Sequence, residues 1–282
     1  MKKKQKNYRF FYFLLAFLLV LYFDTCLLKH LEKEAKFAYI INKERVFQAL
    51  RDEEIPLTVS KQLKEETKEN SEFSKRLFSY LVTNETDQDT EKQLMMRLQR
   101  KNSTFLNEYL SYLEAIWNDI TYFPVPFSKM NEKATVSYSN SWMQERTFGG
   151  KRGHEGCDVM AATNTRGVYP IISMTDGVVE KIGWLPAGGY RIGIRSPSGG
   201  YFYYAHLYDY AKEFEEGEAV KAGTLLGFMG DSGYGETPGT VGNFPVHLHV
   251  GIYFNDKDGN EISVNPYWIL RYLDDKKLVY DY

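Results

Sequence analysis

Cysteine is nearly absent from this 282-residue chain: Cys26 and Cys157 are the only two. Cys26 closes an apolar segment and Cys157 lies far beyond it, so no disulfide framework is expected. A chain of this size can build a sufficient core without one, even when exported. An excess of charge of either sign is also missing. The formal net charge of −2 supplies no global field for nucleic acid, and no nucleic-acid partner is expected. Histidine is scarce, with five residues, of which only His30 falls in the first half. What is abundant is aromatic: 16% of the chain, with 22 Tyr and 18 Phe, a bias that suits strands.

One long apolar run is present. Residues 1–9 carry four lysines and an arginine, and residues 10–28 follow with little polar content. As a helix, 10–28 would measure roughly 28 Å, close to the thickness of a bilayer core. The basic flank predicts a cytoplasmic N-terminal tail (1–9), a transmembrane signal-anchor (10–28) and the bulk of the chain outside. A cleaved signal peptide is the rival reading. The segment Leu21-Tyr22-Phe23-Asp24 lacks the small residues that cleavage needs, so an uncleaved anchor is expected.

Residues 29–119 are highly charged and poor in glycine, the composition of helices. Phe105, Tyr109, Tyr112 (with Leu113) and Ile116 repeat at steps of 4, 3 and 4 on one helical face. Residues 87–90 offer an N-cap for a helix over 91–102, and Pro56 breaks the earlier part. No heptad persists, so a membrane-proximal helical stalk is expected, a solvated spacer whose aromatics pack locally rather than a coiled coil. Pro124 and Pro126 mark a boundary, and 120–282 reads as a second domain. There, short strand-like runs at 168–172, 177–184, 190–195, 201–206, 225–229 and 246–254 alternate with Gly and Asn turns, which predicts an antiparallel all-β domain. Residues 266–273 read as a closing helix or turn.

Three places in that domain can carry chemistry. His247 and His249, two apart on a strand, share a face, with Leu248 pointing the other way into a core. Taken alone, the pair is as consistent with a wet strand as with a metal site. His154-Glu155-Gly156-Cys157-Asp158 opens like a zincin helix but ends in Asp. In a straight strand, residues 154 and 158 would stand roughly 13 Å apart, so the chain must bend near Gly156 for both to reach one ion. In isolation this too reads as a surface histidine and a hairpin aspartate. His206 closes the aromatic run Tyr203-Tyr204-Ala205, where a structural histidine is the ordinary outcome. If 157 and 158 are extended, their side chains diverge and Cys157 belongs to the core.

Together, His154-x-x-x-Asp158, Tyr-Ala-His206-Leu and His247-Leu-His249 resemble the signature of the LytM/lysostaphin-type zinc metallopeptidases, peptidase family M23. Phe148-Gly149-Gly150, Asp176-Gly177-Val178-Val179, the run from Gly217 to Gly223, and Gly230-Asp-Ser-Gly233 fit the same pattern. The resemblance covers roughly 123–273 and says nothing of the anchor or stalk. It implies an antiparallel, duplicated-hybrid-motif-like β fold. It also implies a Zn2+ cofactor held by His154, Asp158 and His249 with one open position, and catalytic roles for His206 and His247 in handling water and the oxyanion. Two departures stand out. Cys157 replaces a small or aliphatic residue, and 234–245 is longer than a simple connection and is expected to border the substrate groove.

The implied activity is zinc-dependent endopeptidase cleavage of peptidoglycan stem-peptide cross-links or bridges at the outer face of a bacterial membrane. Two alternatives stand beside it. One is a non-catalytic scaffold or regulator of cell-wall hydrolysis or division, although such members typically lack ligands that are all present here. The other is a hydrolase of the same chemistry acting on another exposed protein. The stalk or residues 129–140 are also candidates to cover the groove in a resting enzyme.

Overall fold

The structure, a computed structural model, describes residues 8–282. Most of the expected basic tail, 1–7, lies outside the described residues. The chain divides into two units, 1–47 and 48–282.

The first unit is dominated by helix α1, Tyr8–Ile40. Its most apolar 18-residue stretch has a mean hydropathy of 2.2 and is fully unburied, so α1 is long and apolar enough to cross a membrane. The helix does not stop at residue 28. Residues 29–40 contain neither glycine nor proline and include several Lys, Glu and Ala, all good helix formers, so nothing in them ends the hydrogen-bond ladder.

Helix α2, Lys43–Asp52, crosses the division between the units. In the second unit, helices α3 (Leu57–Glu65), α4 (Asn70–Thr83), α5 (Gln88–Lys101) and α6 (Ser103–Trp117) precede the sheet. Pro56 sits at the N-cap of α3. The Asp87 carboxylate accepts from Thr90 N at 2.8 Å, capping α5 as the sequence predicts. Asn102 caps α6 through Phe105 N. All five residues of the predicted α6 stripe are buried.

Ten strands form one sheet: β1 (Val136–Tyr138), β2 (Cys157–Ala161), β3 (Pro170–Ile172), β4 (Gly177–Leu185), β5 (Gly189–Arg195), β6 (Tyr201–Tyr210), β7 (Ala219–Val220), β8 (Leu225–Met229), β9 (His247–Asn255) and β10 (Glu261–Val264). Their pairings are antiparallel. The main path runs β7-β4-β5-β6-β9-β2-β1, with β8 bridging β3 and β6, and β10 beside β9. Helix α7, Pro266–Leu273, follows β10 and is capped by Asn265. Alternation sends Cys157, Val159, Phe202, Tyr204, Leu248, Val250 and Ile252 into the core, each at most 1% exposed. The opposite face of β2, β6 and β9 is left for the site.

The helical segment is not a solvated spacer. The Tyr112 ring stacks on Phe254 of β9 at 4.4 Å, and Trp117 meets Tyr272 of α7 edge-on at 5.5 Å. Lys257 N donates to the Tyr112 hydroxyl, and the Asp119 carboxylate accepts from Ser198 N. An apolar helical stripe demands a covering surface but does not specify which one, and here the sheet domain supplies part of it.

At this junction Trp117 Nε1 donates to Glu53 Oε2 at 2.9 Å, while Glu53 Oε1 is buried without a partner. Burial pushes the Glu53 carboxyl up to about 8, outweighing the Trp117 hydrogen bond that favours the anion. A group whose folded pKa is raised contributes stability that is complete below its unfolded value, near 4.5, and is lost as pH rises through about 8. Glu53→Gln keeps an acceptor for Trp117 and removes the ionisation. Relative to the unsubstituted protein it should gain about 1–3 kcal/mol by pH 8 and show no gain at pH 4. Thermal unfolding of the detergent-solubilised chain across that range is the measurement, and a pH-independent difference would contradict the assignment.

Candidate active site

The pairing of β9 with β2 and β6 assembles the site. His249 stands opposite Asp158 of β2 on one side and Ala205 of β6 on the other, so all three side chains rise from the same face. Residues 154–156 precede β2 and are not strand, so the chain turns at Gly156 as the spacing requires. His154 Nε2 thereby comes within 3.1 Å of Asp158 Oδ1 and 3.0 Å of His249 Nδ1, and His249 Nδ1 lies 3.0 Å from Asp158 Oδ1. Gly156 also permits this approach sterically. A Cβ there would stand 2.3 Å from the His249 ring.

These three donor atoms suit a metal ion. Tetrahedral zinc ligands at 2.0–2.2 Å stand roughly 3.3–3.5 Å from one another, a slight expansion of the spacing seen here. His154 Nδ1 faces the Ser141 carbonyl at 3.1 Å, so it carries the proton and leaves Nε2 as the lone pair towards the centre. Burial opposes ionisation of Asp158, but the His154 and His249 imidazoles overcome it and hold the carboxyl well below the usual range. Burial lowers His249, against the pull of Asp158. The result is one carboxylate and two imidazole nitrogens around one point, the donor set of a catalytic zinc.

The two remaining histidines flank this group. His206 Nδ1 donates to the Ser232 carbonyl at 2.8 Å, and His247 Nδ1 to the Pro245 carbonyl at 2.7 Å. Each is thus left with a free lone pair on Nε2. Their ring centroids are 4.7 Å apart, and His247 Nε2 is 3.7 Å from Asp158 Oδ1. Burial holds both pKa values below the ordinary histidine value, so both rings are neutral near pH 7. The strand expected to end at His206 instead continues to Tyr210. His206 has φ +62° within it, a left-handed kink that departs from regular pleating. Ser232 is held against this kink because its Oγ donates to the Leu207 carbonyl. Gly189, at φ +65°, lets Ser232 approach, since a Cβ there would stand 2.2 Å from the Ser232 carbonyl oxygen.

All five residues singled out from the sequence, His154, Asp158, His206, His247 and His249, line one cavity of about 660 Å³. Cys157 points to the core, fully buried, and its thiol is pushed up to about 12 by burial and by the neighbouring Asp158 charge. Tyr234, Phe244 and Pro245 place the 234–245 loop on the cavity rim, where it was expected. Residues 129–140 do not line the cavity; 136–138 are its sheet's edge strand, paired to β2. The sequence offered no signal for Arg146, whose Nη2 donates to Asp158 Oδ2 at 2.6 Å and so fixes the carboxylate that faces the two imidazoles. Tyr203 was also missed as a site residue. It lies on the same face as His249, ring centroids 6.0 Å apart, a relation that follows only from the β6–β9 register.

Comparison with known proteins agrees with this constellation. The sequence profile described as Peptidase family M23 matches residues 152–266. The L-Ala--D-Glu endopeptidase of Bacillus subtilis (strain 168) is 38% identical over 197 residues, 68% of this chain and 57% of that protein, so the chain spans just over half of that relative's length. A crystal structure from Ruminococcus gnavus ATCC 29149, named for a glycyl-glycine endopeptidase LytM, is 44% identical. It superposes with a TM-score of 0.74, covering 88% of this chain and 98% of the other. With a relative matched over nearly its whole length and the M23 profile falling on the residues that carry the site, this chain belongs to peptidase family M23.

Proposed function

We propose that this chain is a zinc-dependent endopeptidase that hydrolyses peptide bonds of peptidoglycan cross-links at the outer face of a bacterial membrane. The supporting observation is the convergence of His154 Nε2, Asp158 Oδ1 and His249 Nδ1 within 3.1 Å of one another at the floor of a cavity. His154, Asp158 and His249 are the metal ligands, and His206 and His247 the catalytic residues. The relative that acts at an L-Ala–D-Glu bond and the relative named for a glycyl-glycine bond both bear names of enzymes that cut peptides. Residues 10–28 are the membrane anchor and 120–282 the peptidase domain, an arrangement supported by the length and hydropathy of α1.

His154, Asp158 and His249 would hold a zinc ion, which would supply Lewis acidity towards a peptide carbonyl and water. The chain supplies proton transfer and orientation. Nε2 of His206 or His247 accepts a proton from the attacking water, because both rings are neutral and have Nδ1 already committed to a backbone carbonyl. The same nitrogen then returns the proton to the departing amine. Tyr203, kept protonated because burial pushes its phenol up, offers an O–H at the same wall of the cavity. Arg146 holds the outer oxygen of Asp158 and is a positioning residue.

His249→Ala is expected to lose both bound zinc and peptidoglycan cleavage, whereas His206→Ala should retain zinc and lose turnover by about 100-fold or more. Metal analysis alongside muropeptide release checks both. Full zinc occupancy in His249→Ala would overturn the ligand set, and an ion-free protein that cannot be reconstituted would instead point to a scaffold. Arg146→Ala should weaken zinc retention by about 10- to 100-fold, read by competition with a chelator. Unchanged retention would show that Asp158 needs no orienting partner.

A further inference from the structure

We propose that Arg191 is the specificity-determining residue of this site and that it binds a free carboxylate on the substrate peptide within one or two residues of the scissile bond. This deepens the peptidase reading and rests on it. The argument starts from strand register. Gly193 of β5 pairs with Tyr203, and the register shifts between Tyr190 and Ile192, which places Arg191 opposite residues 205–206 of β6. Ala205 in turn pairs with His249. Arg191 therefore lies in the same row as the metal-binding group, two strand spacings or roughly 10 Å away, and lines the same cavity. An extended peptide covers that distance in about three residues, and the arginine side chain shortens the gap further.

Arg191 is also a cation without a counter-ion. Two other arginines near this groove are committed, Arg146 to Asp158 and Arg195 to Glu180 through two nitrogens, while Arg152 also lines the cavity but stands in a separate two-stranded sheet, outside the strand row that Arg191 shares with His249. Among the described residues, the Arg191 guanidinium makes no hydrogen bond or ion pair, and its Nη1 is fully covered. The nearby carboxylates do not neutralise it. Glu180 is held by Arg195, Glu155 lies 3.8 Å from Arg51, and Glu261 makes no bond to it. The surroundings are instead phenolic, since its charge acts on Tyr201, Tyr203 and Tyr210. A partly desolvated guanidinium with open N–H groups favours a carboxylate, which it can take bidentately. A neutral glycine bridge offers it nothing of that kind.

The test is equilibrium binding to the zinc-loaded full-length chain carrying His206→Ala, in detergent, followed by intrinsic fluorescence. The probes, all amidated at the C-terminus, are a peptide containing the L-Ala–D-Glu bond with the Glu carboxylate free, the same peptide with that group as a carboxamide, and pentaglycine. The acid is expected to bind about 10- to 100-fold more tightly than either neutral peptide, the worth of one charge-assisted contact. Adding Arg191→Gln should bring acid and amide within about twofold, and Arg191→Lys, which keeps charge but not the planar fork, should leave an intermediate ratio. Equal affinity for acid and amide with Arg191 present overturns the proposal, as does a preference unchanged in both Arg191 variants. Failure of the unsubstituted protein to cleave any peptide would overturn the peptidase reading instead, and the binding ratio would still report on Arg191.

Discussion

The antiparallel pairing of β9 with β2 is the constraint on which the site depends. It puts His249 directly across from Asp158, and a one-residue slip would send both imidazoles of β9 into the core and Leu248 into the cavity. The buried row of Leu248, Val250, Val159 and Cys157 on the reverse face makes that slip costly. Apolar burial on one side of the sheet therefore holds the polar geometry on the other. His154 then needs only the turn at Gly156 to join them, and Arg146 to keep Asp158 from rotating away.

The electrostatics follow from the same arrangement. Four imidazoles and one carboxylate in a small volume would be unstable if the rings were charged. Burial keeps His206, His247 and His249 neutral near pH 7, while Asp158 stays ionised. A neutral ring with one nitrogen fixed on a backbone carbonyl has its other lone pair aimed, which suits both a ligand and a general base. The distinction between the two roles is positional. In the proposed mechanism the rings with a nitrogen about 3 Å from Asp158 Oδ1, His154 and His249, are the ligands, and His206 and His247, set further from that oxygen, are left to handle protons.

The helical segment adds a second kind of support. The Tyr112–Phe254 stack reaches the far end of β9, the strand that carries His247 and His249, and Trp117 rests on α7. Helices that lead the sheet in sequence therefore buttress the central strand of the site from the end away from the cavity. The cost is one buried carboxyl, Glu53, whose partner is the Trp117 indole.

Much of this was legible in the chain itself. The 3-4 stripe of α6, the Asp87 cap, the short strands between Gly and Asn turns, and the divergence of Cys157 and Asp158 all follow from periods of 3.6 and 2 and from backbone stereochemistry, which are local. The five polar residues of the site could be named because their types and spacing match a family pattern. What only the tertiary structure decided was non-local. The helical stripe was visible, but its partner on the sheet was not, because burial energy is indifferent to which surface does the covering. Arg146, Tyr203 and Arg191 carried no signal because their roles depend on which strands stand side by side, and that is set by pairing across the fold rather than by neighbours along the chain.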